Sequence, residues 1–249
     1  MNIPNNNTFL YTVEELGIDN LRIYQPKDGY HFAMDSVLLA DFTRQEKDAS
    51  AMDLCTGSAV IPLLLYGRRR FKNYVAVEIL EDIACMAKDS IKLNKLENKI
   101  NIICDDINNL NITNNVGVFD VITVNPPFFE ACDGIMPKNI NKAISKYEIK
   151  INLEDLAKIA NRLLKNTGVF YLVHRCERLS DVLNLLSKHS IEPKRLRFVY
   201  PSINKNPKIF LLEGIKNAKK GLTVERPLIV FNNDNTYTRE LKNIYNIGE

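Results

Sequence analysis

Cysteine and histidine are both sparse. Cys55, Cys85, Cys104, Cys132 and Cys176 are odd in number, no two form a CxxC pair, and only His31, His174 and His189 accompany them. That pattern argues against a zinc site and a disulfide framework, and no metal is expected. The thiols read as small buried hydrophobes of a reduced compartment. No apolar run approaches the roughly 20 residues that a membrane span needs, so no membrane partner is expected. Residues 1–8 are Asn-rich and polar, which argues against a signal peptide and for a frayed tail. The GxGxxG pattern of NAD-dependent enzymes is missing. There is no internal repeat and no low-complexity linker. These absences leave a cytoplasmic globular protein.

The chain has 249 residues, 45% hydrophobic and 25% charged, enough to bury a large core unaided. Its net charge of +3 is unevenly spread. Residues 1–137 carry 12 Lys+Arg against 19 Asp+Glu, whereas residues 138–226 carry 19 against 8. A basic second half suits either a polyanionic partner or a solvated Lys-rich surface.

Strand and helix patterns alternate after residue 50. Strands are expected at residues 51–54, 73–77, 100–104, 119–124 and 168–173. Helices are expected at 60–66, 80–93, 153–164 and 177–188, with Asn152 as N-cap of the third. Residues 195–200 and 208–214 read as an antiparallel pair. The expected fold is therefore α/β and Rossmann-like, a seven-stranded, mostly parallel sheet with an antiparallel closing hairpin at its edge. Before residue 50, residues 11–23 resemble a small strand-turn unit and residues 32–42 have an apolar helical face. The simplest organisation is an N-terminal extension over residues 1–48, covering cofactor and substrate, and a catalytic domain over residues 49–249.

In such sheets ligands bind at the C-terminal ends of the strands, where Asp53, Glu78, Asp106 and Asn125 all fall. The turn Asp53-Leu54-Cys55-Thr56-Gly57-Ser58-Ala59 joins strand to helix through Gly57, which supplies a positive φ. Asp53 can hold a ligand ammonium there, or the segment is an ordinary turn. Glu78 can accept both hydroxyls of a ribose or face solvent. Asp106 can accept from an adenine amino group or close an Asx turn.

Asn125-Pro126-Pro127-Phe128 is the most specific signal. Prolines hold a strip extended and leave carbonyls as acceptors. The Asn125 side-chain oxygen and the Pro126 carbonyl can both accept from one NH2 group. That pairing draws the nitrogen out of planarity and turns its lone pair to an electrophile. Phe128 offers a face for a planar group, worth about 1–3 kcal/mol for a base. The alternative is a Pro-Pro turn ending an edge strand. Lys138, Lys142, Lys146 and Lys150 follow closely and could clamp phosphates. Arg68-Arg69-Arg70 and Lys194-Arg195-Arg197 are further cationic candidates, or plain surface.

Together, Asp53-Leu54-Cys55-Thr56-Gly57, Glu78, Asp106 and Asn125-Pro126-Pro127-Phe128 resemble class I amino-methyltransferases. Gln25-Pro26-Lys27-Asp28-Gly29-Tyr30-His31-Phe32, Asp35-Ser36-Val37-Leu38-Leu39-Ala40, Val173-His174-Arg175-Cys176-Glu177-Arg178-Leu179 and Leu211-Leu212-Glu213-Gly214 resemble one subgroup. That subgroup comprises the bacterial tRNA adenine-N6 methyltransferases, which modify an adenine beside the anticodon of a valine tRNA. The resemblance implies S-adenosyl-L-methionine as cofactor and tRNA as partner. It implies that Asp53, Gly57 and Glu78 bind the methionine and ribose parts, with Cys55 in the same loop. It implies that Asp106 meets the adenine, that Asp35 and Ser36 lie over the cofactor, and that Asn125 orients the target amine. Cys55 and Ala59 stand where the family commonly has glycine, and Phe128 where tyrosine is commoner. A protein-glutamine N5 methyltransferase and a non-catalytic RNA-binding relative are the alternatives.

Overall fold

Apolar side chains on both sides of each central strand decide the architecture. In the computed structural model, residues 11–26, 34–44, 48–68, 71, 73–110, 117–126 and 152–247 are described. A hairpin, β1 (Tyr11–Glu15) and β2 (Arg22–Pro26), precedes α1 (Met34–Phe42). Then come β3 (Ser50–Leu54), α2 (Val60–Gly67), β4 (Asn73–Glu78), α3 (Glu81–Leu93), β5 (Ile100–Cys104) and β6 (Phe119–Val124). The second half runs α4 (Leu153–Leu163), β7 (Leu164–Arg175), a 3-10 turn (Cys176–Arg178), α5 (Leu179–Lys188), β8 (Ile191–Ser202) and β9 (Ile209–Lys216). It ends with β10 (Thr223–Val224), β11 (Leu228–Phe231) and α6 (Arg239–Ile244).

The main sheet has the order β10-β8-β9-β7-β6-β3-β4-β5, with β11 also on β8. Successive residues alternate between two cores. Ala51, Val121, Tyr171 and Val173 join the core under α1, α2 and α3, whereas Met52, Ile122, Phe170 and Leu172 join the one under α4 and α5. This period of two, with both faces covered, is what a parallel sheet requires. Asn152 caps α4 as expected, accepting from the Asp155 amide at 2.8 Å.

Three expectations need correction. The sheet has nine strands among the described residues rather than seven. The two additional strands are the short β10 and β11, whose pairing with β8 is fixed by tertiary contact. The antiparallel pair is not an edge, because β8 carries these strands on its outer side and only β9 runs reversed. Finally, Cys85 and Cys104 are exposed rather than buried.

The N-terminal hairpin is bolted to α3. Tyr24 N donates to Ser90 Oγ at 3.0 Å, and Asn94 both accepts from Arg22 N at 2.9 Å and donates to Arg22 O at 2.6 Å. No described helix is long and apolar enough to cross a membrane.

Candidate active site

Four strand ends and one helix start converge. Asp53, near the end of β3, is 1% exposed. Its Oδ1 accepts from Thr123 Oγ1 of β6 at 2.5 Å, while Oδ2 is buried without a hydrogen-bond partner. Burial pushes the Asp53 carboxyl up to about 7, opposed by Thr123 and Thr56 and assisted by the charge of Glu78. Thr56 Oγ1 is likewise buried without a partner, although it lies close enough to favour the carboxylate. Buried polar atoms are normally satisfied, so two such oxygens at one strand end are a mark of a ligand site.

The loop after β3 has three left-handed residues. Gly57 (φ 57°) takes this conformation freely, but Cys55 (φ 57°) and Ala59 (φ 66°) do so against the usual steric cost of about 1–2 kcal/mol for an L-residue. The two positions lacking glycine therefore keep a glycine-like backbone. The surroundings hold it. Thr56 N donates to Val77 O at 2.9 Å, Gly57 N to Glu78 Oε2 at 2.9 Å, and buried Gln25 Nε2 of the N-terminal hairpin to Ser58 Oγ at 2.8 Å. A Cβ at Gly57 would meet nothing within 4 Å, so the loop faces open space.

Glu78, at the end of β4, also accepts from Leu80 N at 3.0 Å. Burial raises its pKa, against the backbone donors of Leu80, Gly57 and Ile79. Each carboxylate oxygen retains a lone pair beyond these bonds. Asp106 forms the Asx turn, its Oδ1 accepting from Asn108 N at 2.9 Å and Asn108 Nδ2 at 3.0 Å. The half-buried Cys55 thiol is pushed up by burial first and then by Glu78, Asp53 and Asp106. The carboxyls of Asp53, Glu78 and Asp106 thus surround one thiol at this end of the sheet.

Asn125 follows β6 directly and is half-buried, with Pro126 buried beside it. Its Nδ2 donates to Ser36 Oγ of α1 at 2.8 Å. Ser36 is 5% exposed. Asp35, next to it, has its pKa raised by burial and eased downward by Arg175 at the end of β7. The structure thus brings Asp35, Ser36, Asp53, Cys55, Gly57, Glu78, Asp106, Asn125 and Pro126 to one end of the sheet. Pro127, Phe128, Lys138, Lys142, Lys146 and Lys150 lie outside the described residues.

Thr123, Thr56, Ser58 and Gln25 were given no role from sequence. Thr123 carried a signal, being the polar residue in the apolar stretch of β6. Gln25 carried none that distinguishes a latch from a surface amide. The arginine candidates need correction. Arg195 binds Glu213 Oε2 at 2.8–2.9 Å, Glu225 Oε1 at 3.2 Å and Phe42 O at 2.6 Å. Arg197 is held by Glu240 and Arg226 O, and Arg68 by Asp41 and Ile244 O. These guanidiniums are joints of the fold rather than free surface.

No protein-family model matches the chain. A Bacteroides fragilis protein named tRNA1(Val) (adenine(37)-N6)-methyltransferase is 25% identical over 190 residues, covering 76% of this chain and 79% of its own length. A Histophilus somni protein of the same name is 26% identical over 232 residues, covering 93% and 95%. Among solved structures, a "predicted O-methyltransferase" from Agrobacterium tumefaciens superposes with a TM-score of 0.66 at 17% identity, over 86% of this chain and 96% of that one. The geranyl diphosphate C-methyltransferase of Streptomyces coelicolor, solved with S-adenosyl-L-homocysteine, gives 0.54 at 11%, over 73% and 74%. The fold is therefore that of the Rossmann-like methyltransferases.

Proposed function

We propose that this chain is an S-adenosylmethionine-dependent methyltransferase acting on the exocyclic N6 of an adenine in tRNA. One observation carries the reading. Ser36 holds the Asn125 amide nitrogen at the tip of β6, so the amide oxygen is the atom left to accept from a substrate amine. The names of the curated relatives support the reaction and the tRNA.

The residues fit the cofactor. The two unpartnered oxygens of Asp53 and Thr56 are placed for an ammonium, and the left-handed loop leaves room above Gly57. Bound S-adenosylmethionine supplies a methyl group on a positively charged sulfur. Asp53 takes its ammonium, and that charge draws the carboxyl back to its ionised form. Cys55 and Gly57 give close backbone approach, Glu78 takes the ribose hydroxyls, Asp106 uses its remaining oxygen toward the adenine, and Asp35 covers the site.

Asn125 Oδ1 and the Pro126 carbonyl accept from the target NH2 and localise the nitrogen lone pair. Pro127 and Phe128 complete the catalytic strip, with Phe128 assigned to the base. The methylated ammonium loses its proton to water, so no strong general base is needed. The base must leave its stack, which costs least in a loop. Lys138, Lys142 and Lys146 meet phosphates beside it. Residues 1–48 serve as the covering segment and residues 49–249 as the transfer domain, and acting on tRNA places the protein in the cytoplasm.

Asn125→Ala tests the reading. Methyl transfer to unmodified tRNA should fall at least about 10³-fold, the scale of losing an aimed catalytic hydrogen-bonding group. Calorimetry should find cofactor affinity within a few-fold of wild type. Persisting turnover would make the strip structural, and transfer to a protein glutamine in place of tRNA would replace the substrate.

A further inference from the structure

The sheet is not level at its active-site end. Val124, the last residue of β6, pairs with Leu172, which pairs with Leu212, which pairs with Leu196. β8 continues past Leu196 as far as Ser202 before the chain returns at Ile209. Six residues at about 3.3 Å each carry this hairpin roughly 20 Å beyond the end of β6. It stands three strand spacings to the side, about 14 Å.

The projection is braced. β11 pairs along its upper half, Leu228 with Val199 and Phe231 with Ser202, and Leu228 and Val230 are buried. Tyr237 stacks on Phe231 at 5.2 Å. Cys176 N, just past β7, donates to Lys208 O at 3.1 Å. A strand pair so supported keeps its place beside the site.

Its tip is basic. Lys205 and Lys208 are exposed, Ile203 is 62% exposed, and no acidic residue lies between Tyr200 and Phe210. Neither lysine head makes an ion pair or hydrogen bond among the described residues. Elsewhere in the basic half many cations are occupied: Arg178, Arg195, Arg197, Lys165 and Lys188 pair with acids, and Lys194 and Lys216 donate to backbone carbonyls. Asp234, the acid of the adjoining turn, is engaged by Thr236 N and Oγ1.

We infer that the β8–β9 tip is a second RNA-binding surface, which contacts phosphates flanking the target nucleotide through Lys205 and Lys208. The inference rests on the proposed tRNA reaction. Its height and offset suit a strand that dips to Asn125 and rises again, as the two sides of a loop do, and Ile203 gives an unstacked neighbouring base an apolar rest.

The test compares Lys205→Glu/Lys208→Glu with Lys219→Glu/Lys220→Glu, an equal charge change in the β9–β10 connection at the opposite end of the sheet. Binding to an unmodified tRNA transcript is measured across salt concentrations, beside calorimetry with S-adenosylmethionine. The tip variant should bind the transcript about tenfold more weakly, with a salt slope shallower by about 1.4 for two single-strand phosphate contacts. Cofactor affinity should be unchanged in both variants, and the control should bind RNA as wild type does. Equal losses in both variants, or an unchanged slope at the tip, would overturn the inference. So would unchanged RNA affinity with loss of a protein partner. Wild type that binds the transcript without methylating it would sink the proposed reaction, while the slope comparison still decides the tip.

Discussion

Asp53 and Glu213 are both carboxylates buried in the same sheet, at 1% and 3% exposure, and they are treated in opposite ways. Glu213 is met by Arg195 at 2.8 Å and Arg44 at 3.5 Å, and the Arg195 guanidinium lies 3.7 Å over the Phe42 ring. Every charge there has a partner within the chain. Asp53 receives one hydroxyl and keeps an oxygen unbonded. A buried charge satisfied internally locks elements together, whereas one left wanting is destabilising until a ligand completes it. The first ties the end of α1 to β8 and β9. The second marks the site.

Removing the satisfied partner should produce the largest stability change. Glu213→Ala takes away the buried partner of Arg195 and leaves it only the half-buried Glu225 at 3.2 Å, so denaturant titration should show a loss of about 3 kcal/mol or more. A loss under about 1 kcal/mol would mean that the pair is no joint. Asp53→Asn should act in the other direction. Its folded pKa of about 7 lies above the ordinary 3.8, so the protonated carboxyl is the form that folding favours. Its contribution to stability is complete below pH 3.8 and is lost as pH rises through 7. At pH 8 the amide variant without cofactor should therefore be more stable than wild type, by on the order of 2–4 kcal/mol. The gap should close toward pH 4, while cofactor binding weakens at least about tenfold. A melting series from pH 4 to 8 with calorimetry checks both, and a less stable variant at pH 8 would contradict the comparison. The smallest effect belongs to Ser36, whose hydroxyl accepts from the Asn125 amide. Ser36→Ala should lower kcat about tenfold, one neutral hydrogen bond's worth, with KM for tRNA little changed. Ser36→Thr, which keeps the hydroxyl, should restore it. Equal kcat in all three would show that Asn125 needs no such hold.

Much of this could be read in advance. Strand ends at Asp53, Glu78 and Asn125 follow from apolar runs that stop at a turn, an acid or a proline pair, since local chemistry ends a strand. β11 was missed although residues 227–235 hold a short apolar run between Pro227 and an Asn-rich turn, because four residues alone do not say what they pair with. Arg195 and Arg197 looked like surface cations because a sequence shows a charge and conceals its partner. Cys55 and Ala59 stand where glycine is common, yet both keep left-handed backbone. Their backbone angles depend on Glu78, Val77 and Gln25, which are distant in sequence.

By itself the sequence determined the alternation of strands and helices, the polar residues at the strand ends and the stop of β6 at Asn125-Pro126, because periodicity and proline geometry act within a few residues. Tertiary structure alone decided that Ser36 would hold Asn125, that Asp53 would keep an unpaired oxygen, and that β8 would run past β9 under the brace of β11. Those outcomes depend on which distant groups share a buried space, and burial is a property of the assembled sheet.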